Sequence, residues 1–114
     1  MPSRSDTALA EMHRALAALS ALVSRHSESS LVADPDAPAA AAMYLLIVGE
    51  SADNLDPEIR DSLPDVPGRS IIALRHRLAH GYYRQDERQL WDTAVDSAPA
   101  LHRQLPPRPD AAED

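Results

Sequence analysis

Between positions 69 and 88 the chain gathers five arginines, Arg69, Arg75, Arg77, Arg84 and Arg88, against two acids, Asp86 and Glu87. Two of its five histidines, His76 and His80, stand in the same window. Guanidinium groups grip phosphates through paired N–H donors, and imidazoles exchange protons near neutral pH. The segment is therefore the first place to look for chemistry on an anionic substrate. The chain has no lysine, so arginine at these positions also follows from its composition. With a net charge of −7 the whole molecule is not built for broad electrostatic binding to nucleic acid, and only the local distribution points that way.

On a helical wheel Ile71, Ile72, Leu74, Leu78, Ala79 and Tyr82 cluster on one side, and Arg75 falls among them. A guanidinium on an apolar face is costly unless it is paired, reaches out to solvent, or lines a groove. Pairing with a carboxylate such as Glu50 and facing a cleft that receives a phosphate or a second chain are the two readings. His76 and His80 share the opposite face, with Arg77 beside His80. Two histidines four residues apart can seat a metal, but no third ligand stands near them in sequence, so neither a metal nor another cofactor is expected. Arg75 and His80 lie five apart, about 140° around an ideal helix, and do not converge unaided. Distortion near Gly81, or a second copy of the segment across a two-fold axis, would bring them together.

The elements that must position these groups read as helices. Leucine and alanine dominate the apolar residues, phenylalanine is absent and tryptophan occurs once, so a sheet is not expected. A first helix is predicted over 6–26, where Leu9, Met12, Leu16, Leu19 and Val23 recur at steps of three and four. A polar connection over 27–36 follows, with Asp36 as the cap of a helix over 37–54. That helix is apolar nearly all round at its centre, Met43 to Val48, as expected for burial on more than one side. Asp56-Pro57-Glu58 opens a short helix that must end before Pro64. The motif helix should start near Pro67 and stop at Gly81. Asp86 and Gln89 form a capping-box pattern for the last helix, whose stripe is Leu90, Trp91, Ala94, Ala98, Leu101 and Leu105. Pro99 should kink or split it. The expected fold is all-α, an antiparallel four-helix bundle with one short extra helix. It forms one domain over 1–105, with an acidic, proline-rich disordered tail over 106–114. No cysteine is present, no apolar leader core forms near the N-terminus, and the longest apolar run is too short to span a bilayer. A cytoplasmic protein is expected.

The run Ile71-Ile72-Ala73-Leu74-Arg75-His76-Arg77-Leu78-Ala79-His80-Gly81-Tyr82-Tyr83 resembles the signature of HEPN domains. Its longer form, Arg75 then His80 then Tyr82, is similar to the HepT-like toxin branch. The flanks extend the likeness: Leu46-Ile47-Val48-Gly49-Glu50-Ser51-Ala52 upstream, Leu63-Pro64-Asp65-Val66-Pro67 before the motif, and Asp86, Leu90-Trp91, Pro99 and Leu101 after it. The likeness covers about 45–105 in the same order. Two positions depart from it. His76 stands where asparagine is frequent after the arginine, and Gly68 stands where an aromatic often follows the proline.

The resemblance implies an HEPN-like fold and a metal-independent endoribonuclease, the toxin half of a two-gene toxin–antitoxin pair. It implies that Arg75 and His80 are catalytic, with His76 and Arg77 in support, at a cleft between two copies of the chain. It further implies an RNA substrate and, as antitoxin, a minimal nucleotidyltransferase that adds AMP to Tyr82, with Tyr83 the rival acceptor. A non-catalytic HEPN partner of such a nucleotidyltransferase and a purely structural helical dimer are the competing classes. The intact Arg75, His80 and Tyr82 favour the nuclease.

Overall fold

Ser3 and Asp6 close the first turn of α1, Arg4–Ser24. The Ser3 hydroxyl accepts the Asp6 N–H at 3.0 Å, and the Asp6 carboxylate accepts the Ser3 N–H at 3.3 Å. This reciprocal cap starts the helix two residues before the expected position and satisfies N–H groups that no helical carbonyl can reach. The computed structural model describes residues 3–63, 76 and 87–108. Along α1 the predicted stripe is buried at Leu9, Met12, Leu16 and Leu19, with Ala8 and Ala15 beside it and Val23 half-buried.

The connection over 27–36 is more ordered than its polarity suggested. It contains α2, Glu28–Ala33, capped by the Ser27 hydroxyl, which accepts the Ser30 N–H at 3.1 Å. A single residue, Leu31, pins it to the core. Helix α3, Ala37–Ala52, has Asp36 at its N-cap position, but the Asp36 side chain makes no cap bond. Asp34 does the work instead, accepting the N–H groups of Asp36 at 2.8 Å and Ala37 at 2.9 Å. Helix α3 buries Ala41, Leu45 and Val48 completely, flanked by Ala37, Pro38, Ala42 and Gly49. Tyr44 and Ile47 are half-buried shoulders, and Met43 is 54% exposed.

Helix α4, Pro57–Ser62, begins at the predicted Asp56-Pro57 pair, although the Asp56 side chain makes no cap bond. The Asp56 N–H donates to the buried Ser5 hydroxyl at 3.0 Å, and the Arg4 guanidinium donates to the Asn54 side chain. These bonds tie the start of α1 to the end of α3, so the two helices run antiparallel.

The last helix is one rod with a widened middle: α5, Glu87–Asp92, a π-helical stretch, Thr93–Ser97, and α6, Ala98–Gln104. The Ala98 N–H reaches the Thr93 carbonyl, a five-residue step. Pro99 explains why. Its ring would crowd a carbonyl of the preceding turn and it has no N–H to give, and the wider turn relieves that crowding without ending the helix. The predicted split is thus a local widening. The stripe it carries is buried at Leu90, Ala94, Ala98, Leu101 and Leu105, with Trp91 half-buried against the same cluster.

The described residues are all-α, with no strand among them. Helix α1 packs on α3 and on the π stretch and α6, while α2 and α3 meet α5. Leucine and alanine supply most of the shared core.

Candidate functional site

The described elements on either side of the motif segment are anchored to the core. Before it, Ile59 of α4 and Leu63 at the C-cap of that helix are both partly buried against the core. After it, α5 begins at Glu87 and sinks Leu90 fully within its first turn. Of the predicted site residues, His76 is described: it is helical and exposed, which agrees with its place on the outward side of the wheel. Arg75, Arg77, His80, Tyr82 and the rival Tyr83 lie outside the described residues, as do Gly68, Gly81 and the Asp86 of the capping box. Whether Arg75 pairs with Glu50 or faces a cleft, and whether it meets His80, therefore falls outside them as well.

The surroundings refine the basic island. Arg88, one of its five arginines, lies 3.7 Å from the Glu28 carboxylate and 3.5 Å from that of Asp92. Both neighbours are solvent-facing acids, so these pairs add little to stability. They do offset the charge of Arg88 at the end of the island. Among the described residues no group of three or more His, Asp or Glu side chains is placed to hold a metal, and no helix is long and apolar enough to cross a membrane.

A second imidazole site, which spacing alone could not reveal, lies where α1 meets α6. His13 Nε2 is 2.7 Å from the Pro106 carbonyl oxygen, and His13 Nδ1 is 3.2 Å from His102 Nε2. The rings meet edge-on, their centroids 5.2 Å apart and their planes at 61°. His102 is held below the usual imidazole range, first by burial and then by the neighbouring His13. The two histidines are 89 residues apart, and only the packing of α1 against α6 joins them. Beside them an open groove of about 340 Å³ runs over Leu16, Ser20, Ala94, Ala98, Pro99, His102 and Arg103.

Comparison with known proteins gives the motif segment its context. The profile of the family described as ribonuclease HepT-like matches residues 12–107, from α1 to beyond the end of α6. A protein of Caldanaerobacter subterraneus subsp. tengcongensis that carries the RNase name is 33% identical over 79 residues, 69% of this chain and 70% of that one. One from Thermococcus cleftensis bearing the name ribonuclease HepT is 33% identical over 57 residues, 50% of this chain and 52% of its own length. An RNase-named protein of Methanocaldococcus jannaschii is 27% identical over 61 residues, 54% of this chain and 53% of its own. The matches to these last two thus span about half of each relative. No solved structure matches the chain. The profile match runs through the whole basic segment and covers well over half of the sequence. The chain belongs to the HepT-like ribonuclease family, whose enzyme class is endoribonuclease.

Proposed function

We propose that this chain is a metal-independent endoribonuclease that cuts RNA at a cleft between two copies of itself, with Arg75 and His80 as its catalytic residues. The observation that carries the reading is the family match over 12–107, a range that includes Arg75, His80 and Tyr82. In the reaction a ribose 2′-hydroxyl attacks the adjacent phosphorus, the bond to the 5′ oxygen of the next nucleotide breaks, and a 2′,3′-cyclic phosphate and a 5′-hydroxyl result. His80 moves the proton, as an imidazole can both accept and donate one near neutral pH. Arg75 holds the equatorial phosphoryl oxygens as charge builds on them. His76 orients the pair or shares the proton, and Arg77 supplies charge beside His80. The HEPN-like domain spans 1–105, with 106–114 as a tail, and the protein acts in the cytoplasm.

In this reading the chain is the toxin of a toxin–antitoxin pair whose antitoxin is a minimal nucleotidyltransferase. The Tyr82 phenol attacks the α-phosphorus of ATP, pyrophosphate leaves, and AMP stays on the ring. A phosphodiester and a base beside Arg75 then block the phosphate subsite by charge and by bulk. The net charge of −7 is the one observation favouring a second reading, a non-catalytic partner of the same nucleotidyltransferase.

Purified protein incubated with total RNA in EDTA separates the two. Cleavage should persist in the chelator and fall about 100-fold or more in Arg75→Ala and in His80→Ala. Intact RNA with wild-type protein, together with retained binding of the nucleotidyltransferase, would establish the binding module instead. Mass spectrometry after reaction with ATP and that partner should show added AMP, lost in Tyr82→Phe and kept in Tyr83→Phe.

A further inference from the structure

We propose that His13, His102 and the Pro106 carbonyl form an acid-released latch that fastens the segment after α6 onto α1. Pro106 O can only accept, so the His13 Nε2 at 2.7 Å carries a proton and donates it. In neutral His13 the other nitrogen, Nδ1, is then a lone pair. His102 Nε2, 3.2 Å away, supplies the N–H that this lone pair needs. The result is a chain of two hydrogen bonds in one direction, from α6 through the α1 histidine to the backbone beyond α6.

One added proton leaves this chain whole, because a cationic ring still faces a neutral one across a single shared N–H. A second proton does not. Both facing nitrogens would then carry hydrogen, and two like charges would stand with their ring centroids 5.2 Å apart in a half-buried place. The ring contact must open. Because Pro106 follows His102 by four residues, the repulsion that parts α6 from α1 also draws this carbonyl away from His13, although the His13 Nε2–H can still donate. The lowered pKa of His102, from burial first and His13 second, agrees with this order of events.

Among the described residues, no ion pair or hydrogen bond joins an acid to either ring. On α1 the nearest acid in sequence, Glu11, is paired with Arg14. On the π stretch Asp96 is exposed, on α6 the next residue is the cation Arg103, and Arg108 is the charged residue after Pro106 among the described ones. Among the described residues no third metal-ligating group joins the pair, so proton chemistry is the reading the geometry supports. The latch is independent of the nuclease assignment.

The test is an imidazole ¹⁵N–¹H correlation series on the full chain from about pH 8 to 4.5, with the heteronuclear NOE of the Arg108 amide followed in parallel. His13 should appear as the Nε2–H tautomer at the high end. The His102 ring should take up its proton at more acid pH than a free imidazole, and the Arg108 NOE should fall with that step. His13→Gln, whose amide can donate to Pro106 and takes up no proton, should keep Arg108 ordered into acid. Independent titration of the two rings, or an Arg108 NOE indifferent to pH in the wild-type chain, would overturn the latch. The wild-type series decides the matter even if a variant folds poorly.

Discussion

Asp34 accepts two backbone N–H groups at the mouth of α3, from Asp36 and Ala37, and these bonds hold its carboxyl below the ordinary value of 3.8, with a smaller contribution from His26. A depressed carboxylate stabilises the fold above its unfolded-state pKa, and that contribution is lost as pH falls through the folded value. Asp34→Ala should therefore melt below the wild type at pH 7, and the gap should narrow in thermal scans taken at increasingly acid pH, as the lowered carboxyl takes up its proton. Sequence reading placed this cap on Asp36, two residues late, because both aspartates precede the helix and only backbone geometry decides which carboxylate reaches back. The proposed roles of Arg75, His80 and Tyr82 rest on something else: their residue types and their order in the sequence, which are read without the local geometry. His13 and His102 were not legible as a pair, since nothing in a linear string relates residues that meet only after two helices have packed.

At the scale of elements α1 and α3 pack together, and both bury small residues, Ala8 and Ala15 on one and Ala41, Ala42 and Gly49 on the other. Overfilling such a seam costs about 1–3 kcal/mol, so Ala41→Leu should lower the urea midpoint of unfolding even though it adds apolar surface. Leu45→Ala, which empties a fully buried position, should cost about 2–5 kcal/mol in the same assay. An unchanged midpoint in both would mean that this seam is not where the helices are held. The long helices were readable because their apolar steps repeat over several turns. Helix α2 was not, because its only buried residue is Leu31 and a lone leucine has no period. The π stretch was half-readable: Pro99 announced a disturbance, but whether the backbone bends, breaks or widens depends on how far the buried positions on either side must stay in phase.

For the whole molecule the open matter is how many chains make one site. Arg75 and His80, about 140° apart on an ideal helix, can be joined either by bending one helix or by borrowing from a second copy. Mixing Arg75→Ala with His80→Ala distinguishes these. If the site is shared, random pairing gives about half mixed dimers, each with one intact composite site, and RNA cleavage should return to about a quarter of wild type. If both groups act within one chain, the mixture stays as inactive as its parts. The same experiment explains why the fold was easier to read than the site. Helical periodicity is satisfied within one chain, whereas a shared cleft is a property of two.

Trp91 sits half-buried at the end of α5, the only tryptophan in a chain without phenylalanine. Its indole emission is thus a built-in optical reporter of how the helix that follows the basic segment is seated. Ligand engagement or self-association that reseats this helix would shift the colour of that one fluorophore, with no dye attached.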